Sequence, residues 1–292
     1  IAHGHRTATR GFGNMTIRRI FMRLSSLLTA LVLALAASPA WTAPNAKLWP
    51  LWDSSNESSG ETVDHTAWGA FLAAYIVEDD SGINKVAYTR VTPGDRQALQ
   101  GYLNQLAQTD PRGFSKAEQL AYWINLYNAL TVDVVLDNPG KKSILRMGKG
   151  VIGIGPWDDY FVTIAGEKVT LNDIEHRILR PIFDDRRIHF AINCASLGCP
   201  NLVAEAYTAQ SVERLLNSSE QAFINHDRGV TFDEKGRLRL SKIFDWYGDD
   251  FAPDESALLA YLAQHHQTQG DALARYEGKV RYGYDWSLNA VE

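Results

Sequence analysis

Trp68, Phe71, Leu72, Tyr75 and Ile76 recur at the i, i+3, i+4, i+7, i+8 spacing that gathers apolar side chains on one helical face, with Asp64 placed ahead of them as an N-cap. Leu99, Tyr102, Leu103 and Leu106 repeat the pattern and predict a second helix over about 94–108. Ser115 and Glu118 read as a capping box that opens a third helix running to about Leu136. That helix is apolar on almost every face, so it is expected to be buried all round. Strand patterns come later. The stretches 161–164 and 167–169 flank Ala165-Gly166 as a hairpin, after which Thr170 or Asn172 caps a helix over 173–179. The apolar run 188–193 reads as a central strand. Val212, Leu215, Leu216 and Phe223 mark another helix, 230–232 and 237–240 a second hairpin, and about 255–266 a last helix. Helices dominate the first half and short strands the second. The expectation is a helix-rich α+β fold with a small, mostly antiparallel sheet.

The start of the chain is patterned differently. Residues 1–40 hold five arginines and no acid, followed by an apolar run at 27–37 and then Ser38-Pro39-Ala40. A positive start, a short apolar centre and a small-x-small end describe a secretory signal peptide, cut after Ala40, and the run is too short for a comfortable membrane span. With Ile at position 1 and methionines at 15 and 22, the first residues read as sequence upstream of the leader. No Cys follows the run, so a lipid anchor is not indicated. Residues 41–62 are polar and read as an extended lead-in, and 63–292 as one domain. The expected location is the periplasm or the medium, with no membrane attachment after cleavage.

Removing the leader leaves 24 basic against 34 acidic residues, a net charge near −10. So acidic a surface opposes binding to nucleic acid. The 292 residues are otherwise of ordinary soluble composition, 45% hydrophobic and 22% charged, ample for a core without staples or metal. Gly148-Lys149-Gly150-Val151-Ile152-Gly153 matches a dinucleotide fingerprint literally. It lacks the strand before and the helix after that such a site needs, and reads as a glycine loop, so no cofactor is expected. Nor is a metal, since His265 and His266 are adjacent and neither a His-Glu-x-x-His nor a paired Cys-x-x-Cys occurs.

The chemically informative stretch is Ile188-His189-Phe190-Ala191-Ile192-Asn193-Cys194-Ala195-Ser196-Leu197-Gly198-Cys199-Pro200, which carries both cysteines of the chain. A Cys delivered into a turn of small residues suits a nucleophile, because substrate can approach and Asn193 and the turn amides can polarise a carbonyl. Glu175 and His176 add a carboxylate and an imidazole ahead of it. In an oxidising compartment the same two cysteines pair naturally as a small disulfide, and composition and spacing alone favour that or a core role. In an unbroken strand His189 and Cys194 face opposite sides, roughly 16 Å apart at about 3.3 Å per residue, so the strand must bend for them to meet. Either His189 or His176 can serve Cys194. Glu175 orients His189 from across the fold more naturally than it orients its own neighbour.

Beyond this segment, the stretches 121–130, Leu171-Asn172-Asp173-Ile174-Glu175-His176, 240–247 with Asp250-Phe251, and Tyr284-Asp285-Trp286-Ser287-Leu288-Asn289 complete a pattern in order. The chain resembles the domain of unknown function 547 family, with Ala195 where a Gly is common. The resemblance implies an α+β fold similar to papain-like thiol peptidases. It also implies a Glu–His–Cys constellation of Glu175, His189 or His176, and Cys194. The implied activity is a cysteine-dependent hydrolase acting on a small peptide or amide-containing ligand. The competing expectation is a non-catalytic exported binding or scaffold domain held by a Cys194–Cys199 disulfide. Asn125 and Asn128, buried amides in the third helix, are expected to brace whatever site exists.

The leader makes one direct prediction. Expressed whole in a bacterial host and recovered from the periplasm, the protein should begin at Trp41 on N-terminal sequencing; a product retaining 27–37 would overturn the export reading.

Overall fold

The computed structural model describes residues 1–4, 43–149 and 155–291. The signal-peptide reading and the end of the glycine loop, 150–154, lie outside the described residues. The chain divides into Ile1–Thr42 and Ala43–Glu292, and every element described belongs to the second unit.

Helix α1, Thr66–Tyr75, buries Trp68, Phe71, Leu72 and Tyr75, the face its spacing predicts. The cap position falls on His65, one residue later than expected and without a side-chain cap bond, while Asp64 Oδ1 accepts the Thr66 N–H at 2.9 Å from the residue before it. Helix α2, Pro93–Gln108, opens on the Thr92 side chain, which accepts from Asp95 N, and buries Leu99, Tyr102, Leu103 and Leu106. Helix α3, Lys116–Asp137, is buried along nearly its whole length. Only half of its capping box forms. Ser115 accepts the Glu118 N–H, but the Glu118 carboxylate accepts from Val63 N at 2.7 Å instead of returning to the cap. That bond fixes the chain where the lead-in ends, and within the lead-in Trp52 enters the core by packing edge-on against Trp123.

Strands β1 (Ile76–Val77) and β2 (Lys85–Val86) form one antiparallel pair, and β3 (Val162–Ile164) and β4 (Glu167–Val169) another. Ala165 and Gly166 both take positive φ, the backbone a tight two-residue hairpin turn demands. The expected helix after β4 is present over Asp173–Phe183 but is wound as a π-helix, with Thr170 Oγ1 accepting the Asp173 N–H at 3.0 Å. The run 188–193 corrects the sequence expectation. It is not a strand: Ile188–Ala191 is a single helical turn, α4, and Ile192 is extended. An uninterrupted apolar run has the same signature in a buried turn as in a buried strand, and here tertiary packing decides. Ile188, Ala191 and Ile192 join the main core, Phe190 the second core, and Ala195 a third small cluster.

Helix α5 (Val212–Ile224) follows, then β5 (Val230–Phe232) and β6 (Leu238–Ser241). The short helices α6 (Ile243–Trp246) and α7 (Gly248–Phe251) lead to α8 (Glu255–His265), α9 (Gly270–Ala274) and β7 (Arg281–Gly283). β5 and β6 pair antiparallel, and β7 returns parallel to β6. The fold class is α+β, helix-rich with small and mostly antiparallel sheets, as the pattern predicts.

His65, buried at the start of α1, meets the Tyr102 hydroxyl with Nδ1 at 2.7 Å. Burial pulls its pKa from 6.5 down to about 4, with Asp64 opposing. The unfolded chain therefore binds the extra proton first, so stability is full above about pH 6.5 and falls as pH drops toward 4. His65→Gln should shrink the difference in unfolding free energy between pH 7 and pH 4 by about 3 kcal/mol, read from urea titrations at the two pH values.

Candidate functional site

α3 presents two buried amides to the chain that carries the cysteines. Asn125 pairs with the backbone of Tyr207, donating to its carbonyl at 2.7 Å and accepting its N–H at 3.0 Å. Asn128, one turn on, spans Ile192 instead, donating to Ala191 O at 3.0 Å and accepting the Asn193 N–H at 2.8 Å. A side-chain amide here replaces the peptide partner that α4 lacks where it ends, so the exit of α4 is fixed.

Asn193 then closes the turn around the thiols. Its Nδ2 donates to Pro200 O at 2.7 Å and its Oδ1 accepts the Ala195 N–H at 2.8 Å. Ala195 has φ +57°, the left-handed conformation that makes glycine natural at this point of the turn. The Leu197 and Gly198 amides donate to Ser287 O and Asp285 O, and Cys199 N donates to Ser196 O. Gly198 must be glycine: a Cβ would lie 2.7 Å from the Asp285 nitrogen. These bonds occupy most of the amides, and Asn193 Nδ2 as well, that the sequence offered for polarising a carbonyl.

Cys194 is half-buried and Cys199 buried, and both are free thiols. Cys194 Sγ lies 2.9 Å from Cys199 Sγ, 3.0 Å from the Tyr284 hydroxyl and 3.3 Å from Ser196 Oγ. Hydrogen bonding from Cys199 outweighs burial and, with help from Ser196 and Tyr284, holds the Cys194 thiol below its ordinary range. Burial pushes Cys199 well up. Tyr284 also leans on Trp246 and Trp286, with centroids 4.8 and 4.6 Å away, so the thiol sits against an aromatic wall.

The imidazoles form a neighbouring cluster. His189 Nε2 donates to Asp250 Oδ2 at 2.7 Å, and Nδ1 faces Glu175 Oε1 at 3.9 Å without a hydrogen bond. The His176 Nδ1 stands 3.1 Å from Arg180 Nη1, and since a guanidinium only donates, Nδ1 is the acceptor and the proton sits on Nε2, 4.0 Å from Glu175 Oε2. Arg180 also grips Asp250, Nε to Oδ2 at 2.5 Å and Nη2 to Oδ1 at 2.9 Å. Burial raises the Asp250 carboxyl, but the bonds from His189 and Arg180 win and hold it far below the carboxylate range. Burial likewise lowers His176, against the pull of Glu175. Tyr247 roofs the cluster, stacked on His189 at 4.0 Å.

The structure thus brings Glu175, His176 and His189 together, and sets Cys194 among hydroxyl and thiol donors. The hydrogen-bond partners of Cys194 Sγ are Cys199, Ser196 and Tyr284, and neither imidazole is among them. Sequence reasoning assigned no role to Asp250, Arg180, Tyr247 or Tyr284. Arg180 had a local signal, four residues beyond His176 on one helix face. The others are distant in sequence and carried no local signal, only their place in the stretches that complete the family pattern. A separate cleft of about 500 Å³ between α2, α3 and β3, lined by Gln100, Asn104, Asp133 and Thr163 among others, shares no residue with this site.

Fold and site define a helix-rich α+β protein that sets a close thiol pair beside a buried carboxylate–imidazole cluster. Residues 111–224 match the family model described as Protein of unknown function, DUF547, a match that supports the resemblance to the domain of unknown function 547 family. Neither a curated protein nor a solved structure matches the chain. The matched segment holds Glu175, His176, His189 and both cysteines, whereas Asp250, Tyr247 and Tyr284 lie beyond it.

Asp250 is the anion that Arg180 and His189 share. Asp250→Asn should destabilise the protein by about 3 kcal/mol, because the guanidinium stays buried with its partner neutralised. An unchanged urea midpoint and m-value would show that this ion pair does not hold the cluster.

Proposed function

We propose that the protein is an exported, cysteine-dependent hydrolase of an amide or peptide-like bond, with Cys194 as nucleophile. The observation that carries this reading is the half-buried Cys194 sulfur ringed by three hydrogen-bonding partners within 3.3 Å, an environment that favours the thiolate. The thiolate attacks the carbonyl carbon, and the Tyr284 hydroxyl bonds the oxyanion that develops. His189 or His176 takes the Cys194 proton as base and delivers it to the leaving nitrogen as the C–N bond breaks; water, giving a proton to the same ring, then cleaves the thioester, and that proton returns to the departing sulfur. Glu175, facing both rings, supports whichever becomes the imidazolium. Contact between sulfur and ring is made when substrate turns the thiol away from Cys199, as catalytic hydrogen bonds commonly tighten only in the complex. The acidic mature surface and the leader support export.

A second reading, an exported non-catalytic domain stapled by Cys194–Cys199, is favoured by the 2.9 Å approach of the two sulfurs.

Alkylation of reduced protein separates them. At pH 7 Cys194 should react with iodoacetamide about tenfold faster than an ordinary thiol, with a pH midpoint below that of free cysteine. Tyr284→Phe should raise the midpoint, and His189→Asn should shift it if the ring serves the sulfur. A rate and midpoint typical of free cysteine, unmoved by either substitution, would sink the hydrolase.

A further inference from the structure

Amide cleavage uses Cys199 only as a hydrogen-bond partner of Cys194, yet its sulfur lies 2.9 Å from that of Cys194 and accepts the Cys194 N–H at 2.9 Å. The approach is built into the backbone. Asn193 bonds both ends of the turn, Cys199 N donates to Ser196 O at 3.1 Å, and Ser196 bridges antiparallel to Leu288. The two sulfurs differ in access. Cys194 is half-buried, whereas Cys199 is 4% exposed, so a disulfide reagent meets Cys194 first. They differ in charge as well: hydrogen bonds favour the thiolate on Cys194, and burial keeps the proton on Cys199. Arg228 straddles the same turn, donating to Asn201 Oδ1 at 2.6 Å and to Leu197 O at 3.4 Å. It has no carboxylate partner among the described residues, and burial lowers its guanidinium to about 10 while Cys199 and Tyr284 pull it back up. A cation so placed favours negative charge on the sulfur pair.

We propose that Cys194 and Cys199 are a dithiol–disulfide exchange pair, Cys194 attacking and Cys199 resolving, with a small or protein-borne disulfide as the oxidant. The Cys194 thiolate attacks one sulfur of the incoming disulfide. That S–S bond breaks, and the first thiolate leaves and takes a proton. Cys199 loses its proton to solvent and attacks Cys194 Sγ; the Cys194–Cys199 bond forms as the second thiolate departs. Two cysteine thiols are oxidised and one disulfide is reduced to two thiols; an external dithiol runs the exchange backwards. The pair needs only its own sulfurs, so it stands apart from amide cleavage, which its oxidised form would switch off by consuming the nucleophile.

Reduced full-length protein is incubated with glutathione disulfide, quenched with N-ethylmaleimide and weighed intact. The expected result is loss of two hydrogens, reversed by dithiothreitol. Cys199→Ser should stop at a glutathione adduct on Cys194, and Cys194→Ser should react about a hundredfold more slowly. The proposal is overturned if both thiols stay alkylable, if Cys199→Ser takes no adduct, or if the cross-link resists dithiothreitol in the folded chain as a permanent staple would. Amide cleavage by the reduced protein is assayed separately, so either activity can fail while the other survives.

Discussion

The two buried amides of α3 are the constraint on which the site depends. Asn125 and Asn128 lie on a helix buried along nearly its whole length; Asn125 satisfies the N–H and the carbonyl of Tyr207, and Asn128 the Ala191 carbonyl and the Asn193 N–H on either side of Ile192. In an apolar interior an unpaired peptide group costs on the order of 1–3 kcal/mol, so those segments have few other places to go. Asn128 fixes where α4 ends, and the apolar residues either side of it are drawn into separate clusters. Cys194 therefore enters its turn from a backbone held on both sides.

The polar groups divide into two sets with different electrostatics. Around Glu175 and Asp250 the charges are buried and mutually compensated, with Arg180 between a carboxylate and an imidazole. Rings so engaged are held in place and have their nitrogens directed at carboxylates or at the guanidinium. Around Cys194 the donors are a thiol and two hydroxyls, which favour a thiolate without a formal opposite charge in contact. Tyr247 connects the sets, stacked on His189 while its hydroxyl feels both Glu175 and Cys194.

The site is a composite of the family segment and the chain that follows it. Residues 111–224 hold both cysteines, the two rings and Glu175. The later part supplies Asp250 from the end of α7, Tyr247 just before it, and Tyr284 from the segment after β7. That last segment is locked to the cysteine turn through Gly198, whose missing Cβ lets the Asp285 backbone approach. The aromatic wall beside the thiol thus owes its position to a glycine in the turn itself.

The sequence by itself determined the elements whose side chains repeat with a clear period: α1, α2, α3, α5, α8 and both hairpins. It also determined the residue types gathered at 175–199, because a thiol, two imidazoles and a carboxylate stand out in any context. It misjudged 188–193, because four consecutive buried residues look alike in a strand and in a single helical turn, and only packing against α5 and the cores distinguishes them. Tertiary structure alone decided which groups touch. His189 meets Asp250 across 61 residues and Cys194 meets Tyr284 across 90, and local pattern carries no information about bonds of that span. The pairing of the two sulfurs lies between these cases: the spacing permitted it, and the turn closed by Asn193 brought them into contact.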